Sequence, residues 1–170
     1  THLNCYGNQL TSLDISNNTA LTYLNCGGNQ LNSLDVSNNI SLQLLSCDTN
    51  QLTSIDVSGC TALSSLNCGG NQLTSIDVSQ NTALSSLNCG NNQLTCLNVQ
   101  NGNNYSFFWN PDFQQYSFSA YQNPNLTCIE VDDPTWAEQN WGTNNGQWNY
   151  STNCDYPAGC FGNVSSGPKT

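Results

Sequence analysis

Five cysteines, Cys5, Cys26, Cys47, Cys68 and Cys89, follow one another at intervals of 21 residues. Asn8, Asn29, Asn50, Asn71 and Asn92 keep the same step, and so do Leu10, Leu31, Leu52, Leu73 and Leu94. A period this short, held over five units without a slip, implies a stack of small coils, none of which can bury its apolar face alone. One unit, from Leu21, reads L-T-Y-L-N-C-G-G-N-Q-L-N-S-L-D-V-S-N-N. Alternation in its L-x-C segment places Leu24 and Cys26 inside the coil and Tyr23, Asn25 and Gly27 outside, on a strand face. Leu31, Leu34 and Val36 fill the rest of the interior. Asn29 sits where the chain turns inward, and its amide can satisfy backbone groups of neighbouring coils. Alternation recurs in L-D-V-S, which predicts a second extended side with Asp35 and Ser37 outward.

The unit matches the leucine-rich-repeat pattern L-x-x-L-x-C-x-x-N-x-L, so the expected fold is a leucine-rich-repeat solenoid. It should be mainly β with short turns, about six coils long, and closed by an aromatic C-terminal cap. Coils stack at roughly the strand spacing of a sheet, ~4.8 Å, so each repeat position becomes a column. The Cys column reads as a core stripe, since small buried thiols behave as hydrophobes. The Asp column (Asp14, Asp35, Asp56, Asp77, then Asn98) has two readings. Stacked like charges would be relieved by calcium, which makes calcium an optional cofactor. Alternatively each Asp accepts hydrogen bonds from the turn that follows it. An exposed Thr column (Thr11, Thr53, Thr74, Thr95) invites an ice-binding reading, which the nearby hydrated carboxylates disfavour.

Charge removes other functions. With 11 acidic residues, no Arg and Lys169 as its one Lys, the chain has a formal charge of -10. It lacks the cations needed to displace phosphate counterions or to adsorb to anionic lipid. No apolar run approaches the ~20 residues of a membrane helix, so direct membrane insertion is not expected. The N-terminus has no basic region followed by an apolar one, so a leader of an exported protein would lie outside this sequence. His2 is the only His, which argues against a His-based triad or general base. Carboxylate pairs such as Glu130 with Asp132 read as solvated outward positions rather than a hydrolytic pair. The expectation is a non-enzymatic protein.

The segments read as follows: repeats over residues 1–100, an aromatic insertion over 101–117, a last degenerate repeat over 118–133, a cap over 134–160 and a linker over 161–170. Leu126-Thr127-Cys128-Ile129-Glu130-Val131 aligns with Leu94-Thr95-Cys96-Leu97-Asn98-Val99 across the insertion. Trp136, Trp141, Trp148, Tyr150 and Tyr156 are suited to covering the open end of the last coil. Outside the Cys column remain Cys60, Cys96, Cys128, Cys154 and Cys160, an odd number that leaves at least one unpaired in a monomer unless a column member joins in. Cys128 with Cys154 would tie cap to coil, and Cys96 with Cys128, at one column position, is its rival. At the other end, Thr1 begins within a unit and leaves Leu3, Cys5 and Leu10 uncovered. That predicts a fragment, a processed form, or a first coil covered by a partner, self-association included.

The units L-N-C-G-G-N-Q-L-T-S-I-D-V-S, with L-N-V-Q-N-G-N-N, N-P-N-L-T-C-I-E-V-D-D and S-T-N-C-D, resemble the secreted leucine-rich-repeat proteins of Bacteroidetes-type bacteria. Within that resemblance the phrase from Asn123 to Asp133 together with Cys154 looks like the family's C-terminal capping segment. The resemblance implies export through the outer membrane, often by the type IX route with a separate sorting domain that this sequence does not contain. It also implies interaction and surface roles rather than a shared enzymatic activity.

The favoured binding surface is the sheet face, which stacked coils present as an extended array. Its columns carry Tyr6, Tyr23 and Leu44 at the N-terminal end, Asn25, Asp48, Asn67 and Asn88 along the middle, and Tyr121 further on. An apolar cluster rimmed by Asn and Asp suits a protein partner at the cell surface. The rival from another class is carbohydrate recognition or adhesion by rings of the insertion, chiefly Phe108, Trp109, Phe113 and Tyr116. A third reading is a rigid spacer or end-to-end assembly subunit.

Overall fold

Alternation in x-L-x-C gives each repeat one short strand, and the constant step brings the next strand back beside it. The computed structural model describes residues 1–107, 109–110, 115–141 and 147–161, and for 109–110 and 115–116 the backbone only. Six parallel strands make the first sheet: β1 (His2–Asn4), β2 (Tyr23–Asn25), β3 (Leu44–Ser46), β4 (Ser65–Asn67), then β6 (Ser86–Asn88) and β10 (Phe118–Ser119). One strand per coil gives the expected six coils. The second sheet, on the other side of the coil, runs in the order β5 (Ser75–Asp77), β7 (Cys96–Asn98), β11 (Cys128–Glu130) and β12 (Asn149–Ser151). Glu130 pairs with Asn98, so the last coil does resume across the insertion in the expected register. β8 (Trp109–Asn110) and β9 (Gln115–Tyr116) form an antiparallel hairpin, and α1 spans Pro134–Asn140.

Leu24, Cys26, Leu31, Leu34 and Val36 are all buried, as are their equivalents in the following coils apart from the half-buried Ile55. Asp35 and Ser37 point outward. Strand pairing on this side starts only at β5, however, so the second extended side is only partly realised. In the first coils the sides are joined through side chains instead. Asn39 donates from Nδ2 to the carbonyls of Ile15 (3.1 Å) and Asn18 (2.9 Å) in the coil before it.

The predicted Asn ladder is present from Asn29 onward, while Asn8 in the first coil is exposed and donates only to the Cys5 and Tyr6 carbonyls of its own coil. Asn71 Nδ2 donates to the carbonyls of Cys47 (3.1 Å), Cys68 (3.0 Å) and Gly69 (3.4 Å), while its Oδ1 accepts the Leu52 N–H at 3.0 Å. Asn29, Asn50, Asn92 and Asn123 repeat this scheme between other pairs of coils. Beside each ladder residue the chain takes a left-handed turn, at Gly7, Gly28 and Gly70, where φ lies between 64° and 70°. Thr49, Asn91 and Gln122 occupy the same column with positive φ, and the β-branched Thr49 is the least suited of the three to it.

A second ladder with the same step is present and does not show in the Cys, Asn and Leu columns of the repeat. Asn39 and Asn81 bridge coils on the opposite turn, Asn81 donating to Val57 and Cys60 carbonyls at 2.9 Å each. Cys60 holds the intervening position, its Sγ 3.7 Å from the carbonyls of Val36 and Asn39. It is therefore the unpaired member of the five extra cysteines, a thiol standing in for a buried amide.

Burial holds the column thiols from Cys26 to Cys89 protonated at neutral pH, pushing them up to about 12 for Cys26 and Cys89 and well above the ordinary value for Cys47 and Cys68. Cys5 alone among the six free thiols is only half-buried. A thiol reagent at pH 8 should therefore modify Cys5 alone in the native protein and all six free thiols in denaturant. Native labelling of Cys47 or Cys68, read by peptide mapping, would contradict this packing.

At the C-terminal end Trp141, Trp148 and Tyr150 are buried as cap residues should be. Trp141 stacks on Phe118 at 4.3 Å and meets Phe107 and Tyr150 edge-on, while its Nε1 donates to the Phe107 carbonyl at 3.1 Å. Asp133 caps α1 by accepting the Trp136 N–H at 3.0 Å, and Pro134 follows at the first helical position. The carboxylates expected to be solvated are structural. Asp132 accepts the N–H groups of Gly102 and Asn104, and Glu130 accepts that of Cys154.

Two disulfides pin the cap, Cys128–Cys154 and Cys96–Cys160. The first is the preferred pairing; the direct Cys96–Cys128 bridge is not formed. Cys96 and Cys128 lie on neighbouring strands, and each is tied to one end of a strap over residues 154–160. Tyr156 in that strap inserts its hydroxyl between β7 and β11. Its Oη accepts the N–H groups of Leu97 (3.1 Å) and Glu130 (3.3 Å) and donates to the Leu97 carbonyl at 2.6 Å.

Burial pushes the Tyr156 phenol up to about 12, with the Glu130 charge adding to it. An unfolded Tyr ionises near pH 10. Because the folded value is the higher, this contribution to stability is complete below about pH 10 and is lost as pH rises towards 12. The cap should therefore loosen between about pH 10 and 12. Tyr156→Phe should flatten that part of a stability-against-pH curve, and an unchanged alkaline limb would count against the wedge.

Candidate interaction face

The six-stranded sheet turns three columns outward, and the register confirms how the repeats align them. His2, Tyr23, Leu44, Ser65 and Ser86 are successive partners in the first column. Leu87 donates to the Ser117 carbonyl at 2.7 Å, which continues that column across the insertion. His2 and Tyr23 stack at 5.4 Å and 28°, and Leu44 comes next, so the N-terminal coils form one apolar row. Tyr6, 60% exposed, lies across the Asn column from that row, its ring near Gly28.

The middle column holds Asn4, Asn25, Ser46, Asn67, Asn88 and Ser119. Its amides are less available than their outward position suggests. Asn4, Asn25, Asn67 and Asn88 each accept through Oδ1 the N–H two residues on, at 3.1–3.3 Å. These are local turns that end each strand. In the third coil the roles change, and Ser46 Oγ donates to Asp48 Oδ1 at 2.6 Å.

The third column runs Tyr6, Gly27, Asp48, Gly69, Gly90, Tyr121. A Cβ on Gly27 would lie 2.6 Å from Asp48 Oδ1, so the glycine is what leaves room for the carboxylate. Tyr121 is 50% exposed but sits at the far end of the column from Tyr6, five strand steps or roughly 24 Å away at sheet spacing. The structure thus lines up His2, Tyr23 and Leu44 in one column and puts Tyr6 and Asp48 in another, across the Asn column, with Tyr121 at the far end of the latter.

Trp109 contributes backbone to the β8–β9 hairpin, and Tyr116 to its second strand. The side chains of Trp109 and Tyr116, and Phe108 and Phe113 altogether, lie outside the described residues. On the other side of the coil Asp14, Asp35, Asp56 and Asp77 each accept the N–H of the Ser two residues on at 2.9–3.0 Å. The Ser hydroxyl and then its N–H hold the carboxyls of Asp14, Asp35 and Asp56 below their usual range. This local turn is the second of the two readings of the column. Among the described residues, no three His, Cys, Asp or Glu side chains are grouped as a metal ion would require. No helix among them is long and apolar enough to cross a membrane.

One parallel strand per coil, an inward Leu and Cys column and an Asn ladder define a leucine-rich-repeat solenoid, a fold that presents an extended surface for interaction. No protein-family model matches the sequence, and neither does any curated protein. Among solved structures the chain is similar to the functional domain of InlJ from Listeria monocytogenes, which includes a cysteine ladder. The TM-score is 0.63 with 33% identity, over 77% of this chain and 30% of that one. It is also similar in fold to the leucine-rich-repeat protein LIC12759 from Leptospira interrogans, with a TM-score of 0.53 and 22% identity over 76% of this chain and 43% of that one. The chain therefore spans under half the length of either neighbour.

Proposed function

We propose that this chain is a secreted or cell-surface interaction module that binds a protein partner through the N-terminal part of its six-stranded face. The observation that carries the reading is the contiguous row His2, Tyr23 and Leu44, with the exposed Tyr6 on the same face across the Asn column. Rigid aromatic side chains on a strand scaffold lose little entropy on binding, and a polar rim excludes water from such a centre. Two disulfides suit an oxidising compartment, as does the sequence resemblance to exported bacterial repeat proteins. Binding rather than catalysis is favoured because the only imidazole, on His2, is engaged in stacking.

The test uses the intact chain as bait on surface-exposed proteins, in parallel with a glycan array. A captured protein should lose about thirtyfold in affinity with Tyr23→Ala, an effect of about 2 kcal/mol. Leu44→Ser should weaken it too, while Thr74→Ser on the other side should not. Capture indifferent to Tyr6, Tyr23 and Leu44, or binding to glycans alone, would overturn the reading.

A further inference from the structure

A second surface lies where the insertion meets the start of the cap, built from no residue of the six-stranded face. Tyr105 sits on a single 3-10 turn, Asn104–Ser106, and is 58% exposed. That turn is firmly held. Asn104 donates from Nδ2 to the Val99 carbonyl, its N–H donates to Asp132 Oδ2 at 3.3 Å, and its Oδ1 accepts the Asp132 N–H at 2.7 Å. The Tyr105 ring meets Trp136 at 5.0 Å and 72°, while its hydroxyl donates to Asp133 Oδ2 at 3.3 Å. Trp136 in turn packs edge-on against Trp141 of the buried cap. An exposed ring fixed in position, in an angular pair, with two carboxylates beside it, is more order than a solvent-facing Tyr needs.

From this geometry we propose that Tyr105, Trp136 and Asp133 form a binding site for an organic cation, an ammonium or guanidinium group seated on the open face of the Tyr105 ring. Ring faces attract cations through their quadrupole, and a carboxylate at the phenol hydroxyl strengthens that attraction. The local field is negative, since Asp133 first and Asp132 further raise the Tyr105 phenol. The chain supplies almost no cation of its own, with one Lys and no Arg.

The polar atoms of the site are partly engaged within the fold. Asp133 Oδ1 is committed to the Trp136 N–H and Oδ2 to the Tyr105 hydroxyl, while both Asp132 oxygens accept backbone N–H groups. Each oxygen keeps a second acceptor site, so what favours a cation is the carboxylate charge beside the ring rather than a shortage of acceptors. The site stands apart from the proposed protein-binding row, and neither reading depends on the other.

Titration of the full chain with choline, with N-acetyl-arginine amide and with 3,3-dimethylbutanol, the neutral isostere of choline, tests the proposal by NMR shifts at Tyr105 and Trp136. Both cations should give saturable shifts, with the isostere at least tenfold weaker. Choline binding the tighter would point to a free quaternary amine, and the arginine amide to a side chain of a partner. Tyr105→Leu should abolish the shifts. Asp133→Asn, which keeps a good helix cap, should weaken binding severalfold at low salt and less at high salt. Equal shifts from the neutral isostere, no saturable cation shift up to about 100 mM, or binding of methyl glycosides instead would each overturn it.

Discussion

Asn71→Leu should lower stability by about 2–4 kcal/mol, although the side chains are nearly equal in volume, because it leaves the Leu52 N–H buried without a partner and takes from the Cys47 and Cys68 carbonyls one of their two donors, Asn50 and Asn92 keeping the other. For a chain of this size that is a fall in Tm on the order of 10 °C. Asn67→Ala supplies the contrast. Asn67 is the same residue type four positions earlier, but it faces outward and satisfies only the Gly69 N–H at 3.3 Å, which water can replace. Its loss should amount to about 1 kcal/mol or less. Thermal melts of the two variants side by side decide the matter, and equal effects would mean that the interior ladder is not what holds adjacent coils together.

Removing the two disulfides should have the other large effect. The loops they close are 64 residues long for Cys96–Cys160 and 26 for Cys128–Cys154. Loop-closure entropy alone assigns them about 4 and about 3.5 kcal/mol. Because both bridges hold the same strap, the double Ser replacement should cost less than the sum. The loss should also be local. Amide exchange at Leu97 and Glu130, whose N–H groups point at the Tyr156 hydroxyl, should rise steeply, while Leu24 and Leu45 of the early coils keep their protection. Denaturant midpoints that barely move, or protection lost evenly along the chain, would show that the strap is an ornament of the fold rather than its end clamp.

What could be read in the sequence was whatever the period controls. Cys26, Asn29 and Leu31 keep their roles in every coil because a constant step fixes depth and direction at once. The same logic would have found the second ladder from Asn18, Asn39 and Asn81, had Cys60 not interrupted the column with a different donor. Outside the period the reading thins. The pairing of Cys96 with Cys160 depends on where a non-repeating strap crosses the second sheet, and no spacing encodes that. The face residues illustrate a different limit. Alternation tells that Asn25, Asn67 and Asn88 point outward, but not that each oxygen is taken by the N–H two residues later. A lone Tyr in an insertion, such as Tyr105, carries no pattern; only its contact with Trp136 and Asp133 distinguishes it.

The Asp column has one more consequence, for how the molecule approaches anything. Asp14, Asp35, Asp56 and Asp77 are exposed in a line on one side of the coil, whereas the columns of the six-stranded face include a single carboxylate, Asp48. The repeat region is thus polarised across its short axis. Near a negatively charged surface, repulsion of that column favours an approach with the sheet face inward, over a range of about 8 Å at physiological salt. Orientation, which a freely tumbling binder must find by chance, is here set by one acidic position copied from coil to coil.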